Sequence, residues 1–243
     1  MKKILVVYGL LIMAIFLVSS CQQKEIESIS RKNNVSEYNP AIDPSKFVAK
    51  VNNPYYSLKP GKSYTFQSKT QEGTEKNIVT VTNRTNEILG IKAIEVWDRV
   101  WLNNELIEET LDWYAQDKEG NVWYFGEDSK KYENGKIVST KGSWTGGIDG
   151  AKPGIIMEAH PKVGDEYRQE YYKGEAEDMA DVVALGQRVS VPYGTFKDCL
   201  KTRDWSRVES SLNEYKYYCP GIGGFVLEVV VDSGERVELI KVD

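Results

Sequence analysis

From Pro54 onward the chain repeats one pattern: a short run rich in Val, Ile, Thr and aromatic residues, then a turn, roughly every ten residues. Tyr64 to Ser68 alternates after the Pro60-Gly61 turn, and Ile78 to Thr82, Ile91 to Leu102 and Leu106 to Gln116 follow. Lys118 to Asn121 then turns the chain into Val122 to Phe125. Asn134-Gly135 is the strongest hairpin signal, because both residues accept the positive φ of a type I′ turn. It joins Lys130 to Glu133 with Ile137 to Thr140. The same reading places strands near 166–172, 181–191, 196–205, 213–219, 224–231 and 235–242. Glu175 to Leu185 also suits a short helix, since Ala, Glu and Met favour one, but the strand reading ranks first. Gly146 to Pro161 is glycine-rich without alternation and reads as a crossing between two halves of the domain. The turns at 118–121 and 133–136 are alike, yet no longer period runs through the chain. The pattern predicts an all-β fold: a mostly antiparallel, strongly curved sheet, as a half-barrel or sandwich, with few or no helices beyond the N-terminal segment. Closure would protect the strand edges of an exported monomer.

The N-terminus predicts where the protein resides. Lys2 and Lys3 precede an apolar run from Ile4 to Val18, and Val18-Ser19-Ser20-Cys21 closes it. A charged start, a short apolar stretch and small residues at the cut make a secretory signal peptide, too short for a spanning helix. With the cysteine at the cut, the segment resembles a bacterial lipoprotein signal with its lipobox. That resemblance implies acylation at Cys21 and a stable anchor once two or more chains are present. Gln22 after the cysteine resembles outer-membrane sorting in a Gram-negative host. The expected organisation is a signal peptide over 1–20, a lipid-anchored tether over 21–50 and one β-rich domain over 51–243. The tether is polar, with Pro40 and Pro44, and Phe47 and Val48 are its candidates for docking on the domain.

Losing Lys2 and Lys3 takes the net charge of −5 to −7 in the mature chain. An acidic chain without a basic run repels polyphosphate, so nucleic acid is not an expected partner. With a single histidine, His160, a His-based triad and a multi-histidine metal site are not first choices; no cofactor and no metal are expected. His160 remains worth testing as the one side chain whose ordinary pKa lies near neutrality. Cys199 and Cys219 bracket a hairpin with its tip near residues 208–210. Pairing symmetric about residue 209 sets Lys201 opposite Tyr217, Arg203 opposite Tyr215 and the two cysteines opposite each other. A disulfide there is the expectation, with two free buried thiols as the alternative.

Two acidic stretches carry candidate chemistry. Asp112 to Asp128 packs Trp113, Tyr114, Trp123, Tyr124 and Phe125 beside Asp112, Asp117, Glu127 and Asp128. Aromatics near carboxylates suit a sugar platform or a glycoside-hydrolysing pair, while the plainer reading makes the aromatics core and the acids turn ends. Trp113, Trp123 and Phe125 should share a face with Leu111 and Ala115. Trp97 and Trp101, four apart on a strand, share another face and are expected to be partly exposed toward a groove. Asp117 to Asn121 faintly resembles a calcium loop but lacks the spaced ligands and distal glutamate. In the second stretch Glu170, Glu175, Glu177 and Asp178 accompany Tyr167, Tyr171 and Tyr172. Facing carboxylates suit acid–base work; a solvated face is the plainer reading.

From Asp112 to Val242 the chain resembles a family of uncharacterised exported bacterial proteins. Asp112 to Asp117 (DWYAQD), Gly120 to Asp128 (GNVWYFGED) and Gly150 to Gly154 (GAKPG) carry the likeness. Tyr167 to Glu170 (YRQE), Gly174 to Asp178 (GEAED), Val191 to Gly194, Lys216 to Tyr218 and Pro220-Gly221 extend it. The resemblance implies no activity, cofactor or catalytic residue. A looser likeness, of fold alone, is to the curved half-barrel domains of lipoprotein carriers, which hold acyl chains on a concave apolar face. The expected protein is a cell-envelope lipoprotein on the cell or outer membrane, facing the periplasm or exterior. Its leading function is non-catalytic binding of a glycan, lipid or envelope protein, through Trp97, Trp101, Trp113, Trp123 and Tyr124. The alternatives are a carboxylate-dependent hydrolase of envelope carbohydrate, using Asp112, Glu127, Asp128, Glu170 or Glu177, and a purely structural component.

Overall fold

A computed structural model describes residues 38–243; the signal segment, Cys21 and the tether as far as residue 37 lie outside the described residues. Apart from one 3-10 turn at Pro44–Lys46, the regular elements described are strands. In chain order they begin with β1 (Phe47–Val48), β2 (Val51–Asn52), β3 (Ser57–Leu58), β4 (Ser63–Lys69), β5 (Thr74–Ile88) and β6 (Ile91–Leu102). Next come β7 (Glu105–Asp117), β8 (Val122–Glu133), β9 (Lys136–Ser139), β10 (Trp144–Thr145), β11 (Lys152–Met157) and β12 (Glu166–Arg168). The last are β13 (Glu170–Tyr171), β14 (Asp178–Val191), β15 (Gly194–Ser206), β16 (Asn213–Tyr218), β17 (Phe225–Val230) and β18 (Arg236–Val242).

Strands β4 to β8 form one antiparallel meander and β14 to β18 a second. The pairing of β18 with β4 joins them, and β11 continues the sheet beyond β8. One short stretch brings the two ends together. Its first part, β12, pairs with β14, and its second part, β13, pairs with β11. Between them the Gln169 N–H donates to the Asp178 carbonyl at 2.8 Å. A segment that satisfies both edges leaves little open ladder for another chain to pair with. The strongly curved antiparallel sheet predicted from the alternation is therefore a nearly closed barrel.

Gly146 to Pro161 is more than a crossing, because it contains β11. Pro153 lacks an N–H and Gly154 lacks a side chain, so neither reads as a strand residue. At Gly154 a Cβ would lie 2.4 Å from the Gln169 backbone. That close approach is what lets the closing segment lie alongside. Glu175 to Leu185 is extended from Asp178 onward. The turn at Asn134 and Gly135 has φ of 52° and 72°.

Alternation sorts side chains onto two faces. Tyr64, Phe66, Val96, Tyr114, Leu200 and Leu239 belong to the interior core. Ile88, Ile91, Ala93, Trp113, Ala115 and Phe125 form a second cluster on the outer face of β5 to β8, and Leu111 and Trp123 pack against it. The segment before β2 covers this cluster. Ile42 and Phe47 pack on it, with the Phe47 ring 5.5 Å from Phe125 and 6.3 Å from Trp123. Phe47 and Val48 also pair with Asp117 and Gln116 of β7. Residues from Pro40 onward thus belong to the same compact unit as the barrel.

The β2–β3 hairpin caps one end of the barrel. Gln116 Oε1, at the end of β7, accepts the N–H groups of Asn52 and Asn53 at 2.8 and 2.9 Å. The Asn53 amide donates to the carbonyls of Gly120 and Glu158, each at 3.0 Å. The segment after β16 meets the same cap, the Gly221 N–H donating to the Pro54 carbonyl at 3.2 Å. That segment is pinned by the Cys199–Cys219 disulfide, whose Cα atoms are 4.2 Å apart. Below it Lys201 opposes Tyr217 and Arg203 opposes Tyr215, the register symmetric about residue 209.

Candidate functional site

Beneath the cap lies a cavity of about 190 Å³ in the barrel interior. Tyr56 enters it from the cap, Tyr64 and Phe66 from β4, Tyr114 from β7, Tyr218 from β16 and Phe225 from β17. The rings touch one another: Tyr56 lies 5.4 Å from Tyr114 and 6.3 Å from Tyr218, and Phe66 stacks on Phe225 at 4.7 Å. Gly223 closes the wall where a side chain would not fit, since a Cβ there would fall 2.3 Å from the Tyr64 hydroxyl oxygen and 2.5 Å from the Ser57 carbonyl oxygen. Asp98, Asp112 and Lys216 are the charged residues of the lining.

Burial dominates the electrostatics of these groups. It pushes the Asp112 carboxyl up to about 8, with the Asp98 charge adding to the effect and a hydrogen bond from Tyr124 opposing it. In that bond the Tyr124 hydroxyl donates to Asp112 Oδ1 at 2.6 Å. Burial likewise takes Asp98 up to about 7, against the Asn77 amide that donates to it. Glu127 stands opposite Asp112 on β8. Its carboxyl is pushed well above the ordinary range, first by burial and then by Asp112 and Glu170. Burial followed by Asp178 takes Glu170 up to about 8, although the Trp144 indole donates to it at 2.8 Å.

Lys216 is held by a separate set of acids. Its ammonium lies 2.8 Å from Glu214, 3.4 Å from Asp204 and 3.7 Å from Glu228. Burial works to lower its pKa, and the three carboxylates outweigh it, so the lysine stays charged. One cation cannot keep three buried acids ionised. Burial accordingly raises Asp204 and takes Glu228 up to about 8. The Thr202 hydroxyl and the Gln169 amide also donate to Asp204, at 2.7 and 3.2 Å.

The residues singled out in the sequence divide between the two faces. Asp112, Tyr124, Glu127 and Glu170 come together inside. A bulge at Gly126 brings Glu127 in: Tyr124 opposes Tyr114, Gly126 opposes Trp113, and Glu127 then opposes Asp112. Asp128 consequently turns out and pairs with Lys130 at 2.6 Å. Glu177 is taken by Arg168 at 3.4 Å and by the Gly174 N–H at 3.0 Å. Trp113 and Trp123 share the outer-face cluster with Phe125, and the Trp123 indole donates to Asp117 at 2.8 Å. Trp97 and Trp101 are half-buried, with the Arg99 guanidinium 3.6 Å from one ring centre and 5.3 Å from the other. Neither lines the interior cavity. His160 is exposed in the loop after β11. An open recess of about 390 Å³ on the wall is lined by Trp113, Glu127, Asp128, Trp144 and Tyr172, among others.

Tyr56, Asp98, Asp204, Lys216 and Glu228 are not among the candidate site residues of the sequence; Lys216 enters there only as part of the family likeness. The signal available for them was a polar residue at an inward position of a strand: Asp98 is in step with Val96, and Glu214 and Lys216 are in step with Tyr218. Among the described residues, no group of three or more His, Cys, Asp or Glu is placed to hold a metal ion.

No protein-family model matches the chain, and no curated protein matches it. Two solved structures are similar to it. The first is a protein of Bacteroides fragilis described as exported, with a YmcC-like fold; it is 16% identical, covers 78% of this chain and 98% of its own, and has a TM-score of 0.42. The second, described as a lipoprotein of Parabacteroides distasonis, is 11% identical, covers 79% of this chain and 99% of its own, and has a TM-score of 0.38.

Proposed function

We propose that this chain is a lipid-anchored protein of the bacterial envelope whose barrel is a non-catalytic binding module, with the interior cavity as its binding site. The observation that carries the reading is the cavity itself: a recess walled by six aromatic rings with a few placed polar groups, which is the usual make-up of a small-molecule site. The lipobox at Cys21 supports the anchor. The interior favours a polar ligand over an acyl chain, because a hydrocarbon tail would offer nothing to the charged residues of the lining, Asp98, Asp112 and Lys216. A hydrolase needs one ionised and one protonated carboxyl flanking its substrate. Here burial pushes Asp98, Asp112, Glu127 and Glu170 all in the same direction, which sets no pair of them apart as acid and base.

Two measurements test this reading. Fatty-acid labelling in cells should mark the wild type and leave Cys21→Ser unmarked, with the variant lost from the membrane fraction or held as precursor. An unlabelled wild type overturns the anchor. For the barrel, a screen of glycans, lipids and small polar molecules by thermal shift should return a ligand that the Tyr56→Leu variant no longer binds. If Tyr56→Leu folds and keeps the affinity, the ligand binds elsewhere and the cavity is not the site.

A further inference from the structure

If the cavity is the binding site, its walls define the chemistry of the occupant. Tyr56, Tyr114 and Tyr218 offer π surface, which attracts positive charge through the ring quadrupole. Asp112 is nine-tenths buried and has one oxygen taken by Tyr124. Asp98 is half-buried and accepts a hydrogen bond from the Asn77 amide. The two carboxyls line one recess, a carboxylate can accept more than one hydrogen bond, and the Asp98 charge disfavours ionisation of Asp112. The lining supplies a single cation, Lys216, and Glu214, Asp204 and Glu228 already engage it. A neutral polyol would meet the hydrogen-bonding capacity and leave two acids side by side; a positive charge meets both demands. The space suits a guest of modest size, since an apolar cavity of about 150 Å³ accepts benzene.

We propose that the cavity binds a small organic cation, an alkyl- or arylammonium of about benzene size, with its charge between Asp98 and Asp112 and its carbon body against Tyr56, Tyr114 and Tyr218. This rests on the reading of the cavity as a binding site, and the test separates the two. The mature lipoprotein, in a nonionic polyoxyethylene detergent, is titrated calorimetrically with choline and with benzylammonium. Their uncharged counterparts of matched shape, 3,3-dimethylbutanol and benzyl alcohol, are titrated in parallel. At least one cation should bind saturably at one site, tenfold or more tighter than its neutral counterpart. The Asp98→Asn/Asp112→Asn double variant keeps the acceptors for Asn77 and Tyr124 and should melt no lower than its parent. It should lose tenfold or more of the cation affinity. Equal binding of the neutral counterparts, or undiminished cation binding by the folded double variant, overturns the cation and leaves the cavity as a site for neutral guests. If neither cation binds but a saccharide does so in a Tyr56-dependent way, the cation again falls and the site stands. If no probe of any class binds with dependence on Tyr56, both fall.

Discussion

Asp117 accepts hydrogen bonds from the backbone N–H groups of Glu119, Gly120 and Asn121, at 3.0, 2.8 and 2.9 Å. Its other oxygen accepts from the Asn121 amide and the Trp123 indole, both at 2.8 Å. A carboxylate saturated by N–H donors is a turn organiser, and the faint calcium-loop pattern at 117–121 has its physical cause there. The same side chain ties the β7–β8 turn to the outer-face cluster through Trp123. Asp117→Ala should therefore cost about 2 kcal/mol, the scale of leaving part-buried donors unpaired. That corresponds to a fall of roughly 4–8 °C in melting temperature for a domain of this size. Urea denaturation at pH 7 reads it directly; an unchanged midpoint would mean that water replaces the carboxylate without loss.

At the scale of elements, the meanders were legible because alternation and turn residues are local signals. The β15–β16 register is the clearest case. Symmetry about residue 209 predicts Lys201 opposite Tyr217 and Arg203 opposite Tyr215, as observed, and the Cys199–Cys219 bond lies one step beyond this ladder. Replacing both cysteines by serine opens a loop of 20 residues in sequence and should cost about 3 kcal/mol by the chain-entropy estimate. Denaturant midpoints of the parent and the double serine variant measure this, and equal midpoints would show that the capped end holds without it. Bulges and long-range closure were not legible. Strict alternation along β8 sends Glu127 and Tyr124 to opposite faces; the extra residue at Gly126 restores Glu127 to the inside. At Gly126 φ is 142° and a Cβ would lie 2.4 Å from the Trp144 carbonyl oxygen. A lone glycine in a strand hints at such a bulge without fixing which residues it re-aims. Barrel closure through Glu166 to Tyr171 depends on two partners distant in sequence, β11 and β14, and β11 itself was hidden by Pro153 and Gly154. The candidate site was therefore half-legible: Asp112, Tyr124, Glu127 and Glu170 stood out as acids and aromatics together, while Asp98 and Lys216 needed the closed barrel to meet them.

The whole molecule encloses more acid than its interior can ionise. Burial takes Asp98 up to about 7 and Asp112, Glu170 and Glu228 up to about 8, whereas free Asp and Glu titrate near ~4. Between those limits the folded barrel holds protons that the unfolded chain has released. Stability rises with pH only where the unfolded state binds more protons; here it binds fewer, so stability must fall as pH climbs through this window. Above about 8 the folded state also loses these protons and the slope flattens. Lys216 does not reverse the sign, because its pKa is raised above an already high value and it titrates outside the window. A single carboxyl that stays protonated only in the fold contributes about 1.4 kcal/mol per pH unit, or roughly 3–6 °C in melting temperature. The melting temperature should accordingly be several degrees higher at pH 5.5 than at pH 8. Asp112→Asn keeps the acceptor for Tyr124 but has no proton to lose, so it should raise stability at pH 8 and make the profile shallower. Melting curves of the two proteins at half-unit steps decide the matter. A flat parent profile from pH 5 to 8, or an unchanged slope in the variant, would mean that water within the barrel solvates these carboxylates well enough to ionise them.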